Sequence, residues 1–393
     1  MSSIPQDFDP ELSEDFDSAH REYARLRREC PVAHTDGLGS FWALTRYEDV
    51  KRAASDSATF ITSKQNVIPK VAFTGRRPPL HLDPPEHTPY RKALNPLLSP
   101  ARSESFAPRA RELTREFLAP MVANGGGDIC VEFSSHLPVH IFGEWMRMPQ
   151  DLLGELHDAG RAFVLAVHLS DVEKTKETSL RLYEMARGLI ALRREHPQDP
   201  AIDPTSALIA ARHNGEPLPE ELLVGTVRQV LLVGIVAPLV MIGAICVHLC
   251  RHPELQQELR AKPELWPAAI EEFLRLYSPY RGFARTPVQD VELGGRTIPA
   301  GDAIALLYCS ANRDETVFPD PDSFIMNRPN ISDSLAFGRG PHNCPGLHLA
   351  RMQLRVAMEE IMAATPNGFE LDGDIAMSRW PEIGPIKVAL RFL

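Results

Sequence analysis

At 393 residues, with 44% hydrophobic residues, a formal net charge of −10 and a pI near 5.8, the chain has the composition of an ordinary globular protein, long enough to bury a sizeable core. The acid excess argues against nucleic acid as a general partner, and basic pairs such as Arg76 and Arg77 are too short to reverse it. Six cysteines, at positions 30, 130, 246, 250, 309 and 344, lie far apart except for one pair, unlike a disulfide scaffold, which points to reduced thiols in a cytoplasm.

In chain order, the opening MSSIPQDFDPELSEDFD is acidic and lacks the basic start and apolar block of a signal peptide, so secretion is not expected. The stretch PVAHTDGLGSFWALTRYEDVKRAASD alternates after a glycine-rich turn and predicts a hairpin strand feeding a helix. NVIPKVAFTGRRPPLHLDPPEHTPY is rich in proline and glycine yet too apolar for a disordered linker, and predicts an ordered loop over a pocket. From Tyr90 to about Ser278 helical patterns dominate, interrupted at ANGGGD and EHPQDPAIDP. Within them, 230–250 is apolar along its whole length and passes a simple membrane-span test, but its polar flanks fit a helix through a protein core, and no membrane segment is expected. Cys246 and Cys250 flank His248 there; a structural zinc site needs four ligands together and no second pair is visible, so these too read as core residues. Short strands return in VELGGRTIPAGDAIALLYCSA, with the turn at Gly294 and Gly295, and the end reads as a strand, PIKVALRFL.

Residues 337–351, FGRGPHNCPGLHLAR, hold the strongest chemical signal. Gly338 and Gly340 permit unusual backbone angles, Pro341 stiffens the approach, and Pro345 suits a first helical turn. The loop thus delivers Cys344 to a helix start, where free N–H groups and the dipole favour a thiolate. Gly346 adds a point where a flat ligand can approach the backbone, and LHLARMQLRVAMEEIMAA continues as an amphipathic helix through Leu347, Leu349, Met352, Val356 and Ile361.

This pattern, F-G-x-G-x-H-x-C-x-G-x-x-L-A-R, resembles the haem-binding loop of cytochromes P450, with Phe337, Gly338, His342, Cys344 and Gly346 in register. The resemblance extends over nearly the whole chain. It implies one mainly α P450 haem domain with small β-sheets over 1–393, an oxidoreductase with haem b as cofactor and Cys344 as the proximal thiolate on iron, which favours O–O cleavage. It further implies that Glu272 and Arg275 of EEFLRL, three apart on one helical face, join Arg328 in a buried ionic cluster under the haem loop. Deleting one member of such a cluster costs roughly 3–5 kcal/mol. His87, Arg91, Arg285 and His342 fall at the family's positions for binding the haem propionates, which need cationic or hydrogen-bonding partners when buried.

The central helix departs from the family pattern [Ala/Gly]-Gly-x-[Asp/Glu]-Thr. Here the positions read Gly234, Ile235, Val236, Ala237 and Pro238, so neither the acid nor the alcohol is present, and Pro238 cannot bond the carbonyl of Gly234 and should kink the helix there. Gly234, Ala237 and Pro238 are therefore the positions from which catalysis should depart from the family's. Substrate contacts are expected from Val67 to Phe73, from Val233, Gly234 and Ala237, and from Tyr280 to Phe283. The phrases GRRPPLHLDPPEHTPYR and EEFLRLYSPYRGFART resemble the bacterial subgroup often fused to a reductase with FMN and an iron–sulfur cluster; neither an iron–sulfur cysteine spacing nor a nucleotide-binding glycine loop occurs in these residues, so electrons are expected from a ferredoxin and reductase or from a fused domain absent from this chain. The expectation is a cytoplasmic monooxygenase that uses O2 to hydroxylate or O-dealkylate a small apolar or aromatic substrate. The alternatives are a peroxygenase driven by hydrogen peroxide, a haem protein that only binds gas, and a nucleophilic Cys344 activated by His342 or His348 without haem.

Overall fold

The computed structural model describes residues 6–11, 15–71 and 74–393. The chain divides into two compact units. The first comprises Met1–Lys70, Pro267–Cys344 and Ile375–Ile386, and the second comprises Val71–Trp266, Pro345–Asp374 and Lys387–Leu393.

The first unit is built on a five-stranded sheet. Its strands are β1 (Val32–Thr35), β2 (Phe41–Leu44), β3 (Phe60–Ile61), β4 (Ala284–Pro287) and β5 (Ile304–Leu306), in the order β1-β2-β5-β4-β3. β1 and β2 form the antiparallel hairpin expected from their alternation, with Val32 opposite Leu44 and Thr35 opposite Phe41. β5 runs parallel to β2, and β4 runs antiparallel to both β5 and β3. Successive side chains of a strand point to opposite faces, and here both faces are covered. Trp42 and Leu44 join a core with Tyr47, Val50, Ile304, Leu306 and Phe318, while Phe41 and Ala43 join another with Tyr23, Leu26, Ala305 and Trp380. A second hairpin pairs Val291–Leu293 with Arg296–Ile298. Gly294 and Gly295 form its two-residue turn with φ of 54° and 76°, the positive pair a tight hairpin needs.

The second unit is helical. Its longer helices are Ala107–Asn124, Asp151–His168, Val172–Glu195, Glu220–Val233, Val236–Arg251 and Leu347–Ala364. Ala107–Asn124 is tied to Leu347–Ala364 by ion pairs from Arg111 to Glu359 (2.6 Å) and Glu360 (2.5 Å) and from Arg115 to Glu360 (2.6 Å). The apolar run 220–251 is long enough to cross a membrane, yet 72% of its most apolar window is buried within the protein. Cys246 is fully buried on it, and burial pushes its thiol well up; the Cys250 thiol rises to about 12 for the same reason. Among the described residues, no group of three or more His, Cys, Asp or Glu side chains is placed to hold a metal ion.

The run is two helices. Pro238 has no N–H to give Gly234, and the chain turns at Gly234–Ile235 and restarts its helix at Val236. Pro238 then sits in the first turn of the new helix, where its missing donor leaves no bond unmade. The Phe142 ring packs against Gly234, where a Cβ would overlap it, and Gly160 faces Leu232 and Ile235.

Candidate haem-thiolate site

In the first unit, Gly338 and Gly340 take φ of 68° and 72°, and Gly340–His342 winds into a single 3-10 turn. A Cβ at Gly340 would lie 2.6 Å from the carbonyl oxygen of Ala54, so the loop passes there only as glycine. The loop closes on itself when Cys344 N donates to Phe337 O at 2.8 Å. Asn343 Nδ2 reinforces the closure through Gly338 O at 3.0 Å. Cys344 leaves the loop half-buried and free of any disulfide, with Leu347–Ala364 beginning three residues later in the chain.

Behind the loop lies the ionic cluster. Glu272 accepts from Arg275 Nη2 at 2.7 Å and from Arg328 Nε at 3.0 Å, and all three side chains are almost wholly buried. The remaining guanidinium donors go to main-chain oxygens: Arg275 to Asn312, Pro321 and Ser323, and Arg328 to Pro319, Asp320 and Ser323. Every charge is thus met, the condition under which a buried cluster is tolerated. Asn312 carries the connection forward. Its Oδ1 accepts Leu335 N at 2.7 Å, and Leu335 O accepts Gly338 N at 2.8 Å, which anchors the start of the loop. The sequence reading missed Asn312; its only signal was a polar residue inside the apolar run ALLYCSANRD.

His342 and Arg285 come from other parts of the same unit. His342 Nε2 lies 3.3 Å from Thr62 Oγ1. Arg285, buried on β4, donates to Ala284 O and to the hydroxyl of Tyr308, whose pKa burial raises against the pull of that guanidinium. A Cβ at Gly338 would stand 3.2 Å from the Tyr308 oxygen, so Tyr308 bridges Arg285 and the loop. Of the expected substrate positions, Val67 and Phe283 meet in an isolated antiparallel bridge, and the Phe283 ring packs tilted at 46° against that of Tyr280, centroids 4.7 Å apart. Burial first, then the charges of Glu382 and Cys344, hold the Tyr280 phenol well above its ordinary value, which places Tyr280 within electrostatic reach of the cysteine. Phe73 lies outside the described residues.

In the second unit, His87 is buried at the cap of the Thr88–Leu94 helix and Arg91 follows one turn later, its N–H bonded to His87 O at 3.3 Å. Gly346 caps the Leu347–Ala364 helix, and Ala350 N donates back to it at 2.9 Å. Val233 is 46% exposed, Gly234 and Ala237 are half-buried, and Pro238 is buried.

These residues fit a haem. From 336 to 344 no side chain is fully buried, Phe337 included, so the loop presents a half-open face carrying one thiol, while Arg285 and His342 supply cationic or hydrogen-bonding groups from the same unit. A lone thiol at a helix start on such a loop, with these cationic and hydrogen-bonding groups, is the arrangement a haem-thiolate protein needs.

Comparison with known proteins agrees. The model of the family described as Cytochrome P450 matches residues 147–364. The mycinamicin IV hydroxylase/epoxidase of Micromonospora griseorubida is 33% identical over 350 residues, 87% of this chain and 86% of that protein. The linalool 8-monooxygenase of Pseudomonas putida is 32% identical over 369 residues, 90% of each chain. Among solved structures, cytochrome P450 CYP109Q5 from Chondromyces apiculatus matches with a TM-score of 0.84 at 26% identity, covering 96% of this chain and 95% of that one. A mutant of P450 EryK in complex with erythromycin B matches with a TM-score of 0.86 at 28% identity, covering 98% of both. The chain belongs to the cytochrome P450 family: it has the P450 fold, its cofactor is haem b, and it is a P450 oxidoreductase of the monooxygenase type.

Proposed function

We propose that the chain forms a single soluble, cytoplasmic haem domain that inserts one oxygen atom from O2 into a small substrate with an apolar or aromatic body, by hydroxylation or O-dealkylation. The observation that carries this reading is the Phe337–Cys344 closure, which presents one thiol at a helix start from a loop anchored to a buried ionic cluster. Bound haem supplies the iron and, through its thiolate ligand, the chemistry of O–O cleavage. The chain's own residues hold and position: Cys344 ligates, His87, Arg91, Arg285 and His342 hold the propionates, Phe337, Gly338 and Gly346 line the cradle, and Glu272, Arg275 and Arg328 fix it. Substrate contacts are assigned to Val67 and Phe283 in the first unit and to Val233, Gly234 and Ala237 in the second.

Ala237 and Pro238 have no side-chain proton to give, and Gly234 stands at a helix break. Proton delivery at this point therefore runs through water or through a polar group of the substrate, with the turn at Gly234–Ile235 as the place where the helix offers main-chain groups. The same feature supports a second reading, a peroxygenase, because hydrogen peroxide brings its own protons and electrons. The electron donor is a ferredoxin with its reductase or a reductase of the FMN and iron–sulfur kind.

Product formation from an alkoxy-aromatic substrate by the haem-loaded protein separates these readings. NADPH with a surrogate ferredoxin and reductase is expected to support coupled turnover. Turnover with hydrogen peroxide alone identifies a peroxygenase, and no product under either condition leaves a haem protein that only binds gas.

A further inference from the structure

Buried arginines in this protein are met by acceptors almost everywhere. Arg193 pairs with Asp203 at 2.8 Å, Arg27 with Glu315 at 3.4 Å and Arg313 with Asp322 at 2.7 Å. Arg275 and Arg328 share Glu272, Arg281 donates to the carbonyls of Ser378 and Glu382, and Arg285 donates to that of Ala284. Among the described residues, two buried arginines break the rule, Arg77 and Arg228, and both lie in the second unit.

Arg228 projects from Glu220–Val233, a lone charge in LLVGTVRQVLLV, and its side chain is wholly enclosed at 0% exposure. Its Nη2 donates to Ser179 Oγ at 3.1 Å, and the guanidinium lies 4.7 Å from the Phe163 ring and 5.8 Å from the Tyr183 ring. Its Nε and Nη1 have no partner among the described residues. Arg77, 9% exposed, likewise leaves Nε without one. Among the described residues no carboxylate acts on either guanidinium; burial and, for Arg228, the neighbouring charge of Arg77 hold the charged form back.

His81 adds a fourth donor without an acceptor. Arg77 N donates to its Nδ1 at 3.2 Å, so the neutral ring carries its proton on Nε2. That N–H faces Arg77 Nη2 at 3.3 Å, a donor opposite a donor. An acceptor placed between them would satisfy both. Burial and the charges of Arg77, Arg228 and Arg76 keep the ring neutral, with its pKa down to about 3.

An unpaired buried guanidinium is costly, and a methionine or leucine of similar volume would be the more stable occupant. A structural role therefore does not account for Arg228. We propose that Arg77, His81, Arg228 and Ser179 form a binding site for the carboxylate of the substrate, so that this enzyme acts on a small aryl or alkyl carboxylate. The word substrate rests on the monooxygenase reading above; the anion site does not. The aromatic walls given by Phe163 and Tyr183 favour an anion with an apolar body over a hydrated inorganic ion. Position agrees. Gly234 lies six residues beyond Arg228 on the same helical run, about 9 Å of helix rise, a span comparable to the length of a benzoate-sized molecule held by its carboxylate at Arg228.

The test titrates the haem-loaded enzyme with 4-methoxybenzoate and hexanoate, each against its own amide, by isothermal calorimetry, with chloride and inorganic phosphate as controls. At least one carboxylate is expected to bind about tenfold or more tighter than its amide, the effect of one or two charge-assisted hydrogen bonds. In Arg228→Met and Arg77→Met that preference disappears, because the acid loses more affinity than its amide. The ligand-free melting temperature of Arg228→Met is expected to equal or exceed that of the wild type, where a structural arginine would give a fall. Should Arg228→Met not fold, a structural role is indicated and the proposal fails at that residue; Arg77→Met and Ser179→Ala then decide the rest of the site. Equal binding of both acids and their amides overturns the proposal, as does a preference that survives in the arginine variants. Tighter binding of chloride or phosphate than of either acid reassigns the site to an inorganic anion. A carboxylate preference without product formation leaves the anion site standing and sinks the monooxygenase reading, whereas turnover of neutral substrates without any preference does the reverse.

Discussion

Asn312 offers both ends of its amide to the core: Oδ1 accepts from Leu335 N, and Nδ2 donates to Ser278 Oγ at 2.7 Å. Its main-chain oxygen also receives Arg275 Nη1, so one residue couples the Glu272 cluster to the strand of chain that enters the cysteine loop. Asn312→Leu keeps the branched shape and removes both side-chain bonds; the Ser278 hydroxyl still donates to Leu274 O at 2.9 Å, but the Leu335 N–H is left unpaired in a buried place. Such an orphan costs about 1–3 kcal/mol. Urea unfolding should show the loss as an earlier midpoint with unchanged slope, and the purified variant should carry less haem per chain than the wild type. Asn312→Ser, which can still accept from Leu335 N, should recover part of both. Full haem content in Asn312→Leu would mean that the loop holds its shape without this anchor.

Two causes compete for the break between Glu220–Val233 and Val236–Arg251. One is covalent: Pro238 cannot donate to the Gly234 carbonyl. The other is packing, since the Phe142 ring occupies the space a side chain at 234 would need. The two make different predictions under hydrogen exchange, read on peptides spanning 230–240. If the proline sets the break, Pro238→Ala joins the helices and slows exchange there. If the ring sets it, Pro238→Ala leaves exchange unchanged, and stability moves little because the proline already sits in a first turn. Gly234→Ala forces the ring aside in either case and should cost about 1–3 kcal/mol, the usual penalty for overpacking a filled core. The position of the break was legible beforehand, because a proline within an apolar helical run names its own lost bond. The fit of Phe142 was not, because that contact joins residues 142 and 234, and nothing in the periodicity of either segment encodes the other.

Across the whole molecule, legibility followed the same division. Cys344 with its glycines could be read from fifteen consecutive residues because the chemistry is local: a turn, a thiol and a helix start. The hairpins were local too. Arg77 and Arg228 were unreadable as a pair, since 150 positions of chain separate them and a lone arginine in sequence looks like any solvated charge. Burial of such groups also sets how the protein responds to pH. Burial, with help from neighbouring cations, lowers His20, His81, His136 and His140, His81 from 6.5 to about 3. The unfolded chain then takes up protons below about pH 6.5 that the folded chain refuses, so folding weakens progressively as the pH falls from there toward 3. Carboxylates act in the same direction: burial alone would raise Glu360, but its bonds from Arg115 and Arg111 hold it low, and that stabilisation is lost as it protonates. The alkaline side carries the opposite shift, because burial raises the Cys250 thiol to about 12 and the Cys309 thiol to about 11 from an ordinary 9.0. There the folded chain holds protons that the unfolded chain releases, and stability declines above about pH 9. Urea midpoints measured from pH 4 to 10 should therefore trace a plateau between about 6.5 and 9 with a fall on each side. His81→Gln should make the acid fall shallower, because it deletes one proton that only the unfolded state accepts. An acid limb of unchanged steepness in that variant would show that His81 does not stay neutral in the folded protein.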